Sequence, residues 1–275
     1  MTIHVVGAGG MLGQDVLRAA GADAVALTRA DLDVTDSPAV REALAGAEVV
    51  INCAAYTDVD GAETDPGAAH AVNADGARNV AEAAARVIYV STDYVFDGSK
   101  PDAYVESDAT GPLSEYGRSK LEGERATLTA SPHSLVVRTS WLFGAAGGNF
   151  VDTMLRLAEE RDELRVVDDQ VGCPTFTSHL AEALVTLARG ETRLADGHSA
   201  HGVLHVAGAG SCTWFEFARK IFESAGVEVH VQACRTDEFP RPARRPANSV
   251  LRSERGAPEL PSWQEGLDAF LGVRR

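Results

Sequence analysis

One stretch near the start of the chain, Gly7-Ala8-Gly9-Gly10-Met11-Leu12-Gly13, constrains the fold more than any other. It follows a short β-branched run, Ile3–Val6, and opens a helical run, Met11–Ala20. Between a strand and a helix, Gly7 allows the tight turn, Gly10 lets a pyrophosphate approach the backbone, and Gly13 lets helix and sheet pack closely. The phosphates then rest on free N–H groups at the helix N-terminus, which brings Gly9, Met11 and Leu12 into the same expected site. A plain glycine turn is the bland alternative, and the strand–turn–helix context weighs against it.

The first half of the chain repeats that unit. Short apolar runs at Ala24–Leu27, Val49–Asn52, Val87–Ser91 and Leu135–Thr139 read as strands, separated by helical runs at Pro38–Ala45, Ala68–Ala85 and Tyr116–Thr127. Asp36 or Ser37 caps the helix that Pro38 begins. Such alternation predicts an α/β fold, a Rossmann-type doubly wound parallel sheet with right-handed crossovers. After Trp141 the pattern loosens. Helices at Phe150–Glu160, Ser178–Ala188 and Trp214–Ala225, a strand at Gly202–Ala207 and a short helix near Gln264–Leu271 remain visible. The expected division is a dinucleotide-binding domain over 1–140, also receiving roughly 176–207, and a smaller C-terminal substrate-binding lobe from 141–175 and 208–275. One junction is tight. The helix through Ala83–Ala85 runs into the strand at Val87 with almost no loop. Either the helix end itself makes the turn or natural residues are absent there, since such loops usually take about 2–6 residues.

Composition excludes several classes. A formal charge of −15 argues against nucleic-acid binding, which needs a basic patch, but not against phosphate held at a helix N-terminus. No apolar run approaches the roughly 18 residues of a membrane span. The chain opens directly on a strand, so no signal peptide is expected. Cys53, Cys173, Cys212 and Cys234 lack disulfide or metal spacing, which favours a reducing compartment, the cytoplasm.

Cofactor choice depends on the end of the second strand, where an acid would favour NAD. Here the strand runs into Thr28-Arg29, with no acid until Asp31. Thr28 and Arg29 can take a 2′-phosphate, so NADPH is favoured and NADH remains possible; otherwise Arg29 is a solvated charge. Asp33 and Val34 would flank the adenine, and Cys53-Ala54-Ala55-Tyr56 would lie along the cofactor. Tyr116 and Lys120, four apart, share a helix face. A nearby ammonium would bring the tyrosine pKa down from about 10, as a proton donor to a ketone requires. Lys120 can also hold the nicotinamide ribose. Thr92, Asp93 and Tyr94 end the strand before that helix, where open α/β sheets place their ligands, and Thr92 can orient a substrate carbonyl toward Tyr116.

The segments GAGGMLG, LDVTD, NCAAYTDVDGAE, VSTDYVFDG, YGRSKLEGE, VRTSWLFG, DDQVGCPT and GSCTWFEFA together resemble the dTDP-4-dehydrorhamnose reductase family, part of the extended short-chain dehydrogenase/reductase superfamily. The resemblance runs over nearly the whole chain. It implies NADPH-dependent reduction of dTDP-4-dehydro-L-rhamnose to dTDP-L-rhamnose, a catalytic triad of Thr92, Tyr116 and Lys120, an Asp93 contact to the sugar, and Trp141 lining the hexose pocket. An aromatic face also suits a sugar's C–H face, whereas a packing tryptophan is the alternative. Arg241, Arg244 and Arg245 lie on a proline-stiffened segment, and one of them, Arg245 above all, is expected at the diphosphate. Asp168-Asp169-Gln170 invites a metal reading, and some relatives are associated with magnesium at a subunit interface. Two carboxylates without further ligands are too few, so no metal is assigned. The histidines show no zinc spacing, and His205 reads as structural. A monomer or homodimer acting on a nucleotide-linked 4-keto-6-deoxyhexose is expected. The competing readings are another deoxysugar 4-ketoreductase and a non-catalytic NADP-binding regulatory subunit.

Overall fold

The computed structural model describes residues 1–192, 194 and 200–274. His198 and part of the expected return segment 176–207 lie outside the described residues. Six parallel strands form the main sheet: β1 (Ile3–Val6), β2 (Ala24–Leu27), β3 (Val49–Asn52), β4 (Val87–Thr92), β5 (Leu135–Thr139) and, from late in the chain, β10 (Gly202–His205). Their spatial order is β2-β1-β3-β4-β5-β10. From β1 the chain builds outward to β2, then returns to β3 and builds the other way. The direction reverses between β1 and β3, so a crevice opens at their C-terminal ends.

Both faces of the sheet are covered. Val49 and Ile51 point into a core shared with α1 (Met11–Ala20) and α8 (Thr177–Ala188). Val50, between them, points into the opposite core, with α2 (Ser37–Ala43) and α5 (Ala77–Ala83). Burial on both faces explains why these strands read as continuous apolar runs rather than alternating ones. Asp36 caps α2 by accepting from the Ala39 N–H, and Pro38 lies in its first turn.

The helix expected over Ala68–Ala85 is three pieces in one rod. α4 (Pro66–His70) starts earlier, capped by Asp65, and leads into a π turn at Ala71–Gly76 and then α5. At the tight junction the helix ends early. Ala84 is already extended, Ala85 donates its N–H to the Ala47 carbonyl at 3.2 Å, and Ala84–Arg86 make an ordinary three-residue turn. Arg86 then donates to the Leu187, Ala188 and Ala200 carbonyls, satisfying the end of α8. A short α3 (Val59–Thr64), capped by Asp58, was not legible beforehand.

A second core gathers around Phe143, with Phe176, Phe217 and Phe270 at 5.5–5.8 Å. It is built from α7 (Phe150–Glu160), α9 (Trp214–Ala225) and α10 (Trp263–Val273). Short pairs complete it: β6 (Leu142–Phe143) with β9 (Thr175–Phe176), β7 (Glu163–Val167) with β12 (His230–Cys234), and β8 (Val171–Gly172) with β11 (Cys212–Thr213).

The remaining long helix, α6 (Glu115–Ala130), crosses the π turn at Gly123. A Cβ there would run into the Asn73 carbonyl oxygen and the Tyr89 phenol. Gly123→Ala is therefore expected to cost about 1–3 kcal/mol, as overpacking does. Urea unfolding measures it, and an unchanged midpoint would mean that the helix can shift freely.

Candidate active site

The glycine loop emerges from β1 at the crevice. Gly7 adopts φ +77°, and a Cβ there would sit 2.5 Å from the Ala54 N atom; a Cβ on Gly13 would strike the Gly7 carbonyl. Gly10 caps α1 with no side-chain bond of its own, so the helix N-terminus is left for a ligand. In front of it lies a cavity of about 500 Å³, lined by Gly7, Gly9, Gly10, Arg29, Asp33 and Val34 and by Cys53–Tyr56. A bare glycine rim, a free helix N-terminus and one cation fit a dinucleotide diphosphate. Of the expected cofactor residues, Met11, Leu12, Gly13, Thr28, Tyr116 and Lys120 do not line this cavity. Leu12 is buried in the core, and Gly13 serves close packing. Leu32, Thr35, Ala68, Ala71 and Val72 line it without having been anticipated.

Thr28 is already engaged. Asp31 accepts from its N–H at 2.9 Å and its hydroxyl at 2.6 Å, and these bonds hold the Asp31 carboxyl low. Asp33 is similarly tied to the Thr35 N–H and hydroxyl. The acids nearest the end of β2 thus serve local turns, and exposed Arg29 is the group that faces the cavity. The loop after β3 is pinned by Asn73 from the π turn. Its side chain accepts from the Tyr56 N–H at 2.9 Å, and donates to the Tyr56 carbonyl at 3.1 Å and the Ser119 hydroxyl at 2.9 Å.

At the end of β4, Thr92 and Asp93 are buried side by side. Thr92 donates to Asp93 at 3.0 Å, and Ser140, at the end of β5, donates to it at 3.1 Å. Burial nevertheless pushes the Asp93 carboxyl up to about 6. Tyr116, in the first turn of α6, has its phenol within the influence of the Thr92 side chain and sits edge-on to Tyr94 at 6.0 Å. The lowering expected for Tyr116 does not occur: burial pushes its phenol up to about 12, and the Thr92 side chain only partly offsets this. Lys120 explains why. Its ammonium donates to the Val90 carbonyl at 2.7 Å and lies 4.0 Å over the Tyr89 ring, while burial draws its own pKa down to about 7. Tyr116 is thus a fully protonated phenol, beside a lysine held near its titration point.

A second cavity, of about 760 Å³, opens beyond Tyr94 toward the second core. Arg241, Arg244 and Arg245 all line it, as do Arg161 and Arg165, so five arginines meet one carboxylate, Glu163, around this cavity. Arg245 is not free. It forms a two-pronged pair with Asp60 of α3 at 3.1 and 3.0 Å and hydrogen-bonds Tyr94. Trp141 does not line the cavity; Trp214 does, and it stacks on Trp141 at 3.5 Å with the rings 4° from parallel. The signal for Trp214 lay in the segment GSCTWFEFA, which was read as a helix start and as part of the family resemblance, with no role given to the tryptophan. Trp141 also holds φ +48°, a conformation that a bulky residue adopts only under constraint. Asp169 accepts from the Thr236 N–H and hydroxyl, and no cluster of three or more potential metal ligands occurs among the described residues. His205 is buried between Arg138 and two backbone carbonyls, and all four cysteines are free.

Comparison with known proteins is consistent along the whole chain. Residues 1–274 match the family described as RmlD substrate binding domain. The sequence is 46% identical to the dTDP-4-dehydrorhamnose reductase of Mycolicibacterium smegmatis, over 98% of this chain and 85% of that one. It is 40% identical to a probable dTDP-4,6-dihydroxy-2-methyloxan-3-one 4-ketoreductase of Streptomyces antibioticus, over 98% and 94%. The structure superposes on a dTDP-4-dehydrorhamnose reductase of Bacillus anthracis in complex with NADP, with TM-score 0.92, 37% identity, and coverage of 99% of this chain and 100% of that one.

Asp93 gives the site a measurable signature. Its carboxyl keeps a proton in the folded state that the unfolded chain releases between its ordinary 3.8 and about 6, so this group's contribution to stability is lost as pH rises through that window. Relative to Asp93→Asn, the wild-type chain should lose roughly 2–3 kcal/mol of unfolding free energy between pH 4 and pH 7. Urea titrations at several pH values test this; a pH-independent difference would mean that the carboxylate is adequately solvated.

Proposed function

The chain belongs to the dTDP-4-dehydrorhamnose reductase family, and from that premise we propose that it reduces the 4-keto group of dTDP-4-dehydro-L-rhamnose through Thr92, Tyr116 and Lys120. The observation that carries the residue assignment is the meeting of the Thr92 and Tyr116 hydroxyls at the end of β4, with Lys120 one turn along α6. NADPH bound at the glycine loop supplies the hydride. Arg29, which lines the cavity, would take its 2′-phosphate, and the N–H groups at the start of α1 would hold its diphosphate.

The proton follows from the phenol's state. Tyr116, held protonated by burial, donates to the sugar O4 as negative charge develops there. An alkoxide is a far stronger base than a phenolate, so a raised phenol pKa still leaves the transfer downhill. Thr92 aligns the carbonyl by turning its one O–H from Asp93 to the substrate oxygen, and the positive charge of Lys120, one turn along α6, offsets the phenolate left behind. Asp93 and Tyr94 bound the sugar. The segments 141–175 and 208–275 act as the substrate lobe, with Trp214 at the hexose and Arg245 exchanging part of its Asp60 pairing for the diphosphate. Four free cysteines support a reducing compartment, the cytoplasm. A second reading, reduction of a related deoxysugar, is favoured by the 40% identity to the Streptomyces antibioticus protein.

NADPH oxidation should be followed with the keto-sugar generated from dTDP-glucose by a dehydratase, with and without a 3,5-epimerase. Oxidation only with the epimerase supports the L-rhamnose product, oxidation without it moves the assignment to the second reading, and no oxidation with NADPH still bound overturns both. Tyr116→Phe should lose at least about 10²-fold in kcat with NADPH affinity unchanged, and near wild-type turnover would remove Tyr116 as the acid. Arg29→Ala should raise KM for NADPH about tenfold while leaving that for NADH in place, the loss of one charge-assisted contact. Equal effects on both cofactors would place the 2′-phosphate elsewhere.

A further inference from the structure

Behind the proposed catalytic residues lies a buried ion pair that the mechanism above does not use. Glu124 and Arg138 are 2% and 4% exposed. Arg138 donates its Nε to Glu124 Oε1 at 2.9 Å and one Nη to Oε2 at 2.7 Å, and the Ser91 hydroxyl donates to Oε1 at 2.6 Å. A buried pair of this kind is weak evidence for stability, because desolvating both charges offsets most of their attraction. Its position offers another reason. Glu124 lies one turn after Lys120 on α6, so the two share a face.

The surroundings of Lys120 are otherwise nearly uncharged. Val90 of β4 offers a carbonyl, Tyr89 of β4 a ring face, and α6 itself the neutral phenol of Tyr116. From β3 comes the Cys53 thiol, kept protonated because burial pushes it up to about 12. Glu124 is the anion that acts on Lys120 most strongly. Beyond Arg138, His205 receives an Nη contact at 3.4 Å and turns Nδ1 to the Tyr104 and Arg252 carbonyls. Burial holds His205 toward its neutral form, and Glu106 bonds the His205 backbone N–H from the far side.

We propose that Glu124 is a positioning residue of the reduction, acting through Lys120, and that Arg138 is the counter-charge that limits its pull. Glu124 keeps Lys120 an ammonium in a site that would otherwise strip its proton, and Arg138 draws off part of that negative charge. Ser91, bonded to the same carboxylate, ties the setting to the strand that carries Thr92.

The two charges make opposite demands, and this separates the proposal from simple loss of a salt bridge. Glu124→Gln and Arg138→Gln break the same pair, but the first should lower the Lys120 titration by about one pH unit or more and the second should raise it. The chain contains three lysines, Lys100, Lys120 and Lys220, so the side-chain signals of ¹³C-lysine-labelled protein give one titration for each, assigned by Lys100→Arg and Lys220→Arg. The kinetic counterpart rests on the reductase reading: the alkaline limb of kcat should move to lower pH in Glu124→Gln and to higher pH in Arg138→Gln. Shifts in the same direction, or none, overturn the proposal. If Glu124→Gln does not fold, Arg138→Gln decides alone, since an unmoved or lowered Lys120 titration refutes it. The titration needs neither cofactor nor substrate, so an inactive wild-type protein would count against the reductase reading and leave this test standing.

Discussion

The structure depends on a single topological reversal. Because β2 builds to one side of β1 and β3 to the other, no crossover closes the gap at the C-terminal ends of those two strands. The segments that line the crevice are delivered there or one strand further along. The glycine loop leaves β1, the Cys53–Tyr56 segment leaves β3, and Thr92 and Asp93 end β4. The sheet is held rigid by cores on both faces, so these ends are fixed relative to one another before any ligand arrives.

Charge is distributed on the same plan. The chain is strongly acidic overall, yet its second large cavity is ringed by arginines. Several of them are already paired within the protein, Arg245 with Asp60 most closely. Such pairing holds the guanidinium in place, so that its ordering cost is met within the protein itself. Asp93 shows the reverse economy: a carboxylate kept dry against its preference, as functional sites often keep such groups.

Much of this was legible in the sequence where local chemistry decides the outcome. The five early strands, the glycine loop and the Tyr116–Lys120 spacing all follow from periodicity and residue type. β7 and β12 were missed because each is short, pairs only with the other from far along the chain, and, in β12, is mostly exposed, so the brief alternation of Glu163–Val167 has no local partner to mark it as a strand. The single helix expected over Ala68–Ala85 hid a π turn, since alanine-rich sequence gives no sign of where the ladder slips. The roles of Asn73, Asp60 and Trp214 depend on contacts made across the fold. Thr28 and Tyr116 were misjudged for a related reason. Sequence shows which groups are near, but not that Asp31 takes the Thr28 hydroxyl or that burial outweighs an ammonium turned elsewhere.

The stacked tryptophans have one more consequence. Trp141 follows Ser140 after the end of β5 and Trp214 begins α9 of the second core, so their contact ties the segment leaving the main sheet to that core. Indoles this close and this nearly parallel share their electronic transitions and absorb as a coupled pair rather than as separate chromophores. Exciton coupling is very sensitive to ring separation and angle. The protein therefore carries, at the wall of its arginine-lined cavity, an optical gauge of how α9 is set against the segment that leaves β5.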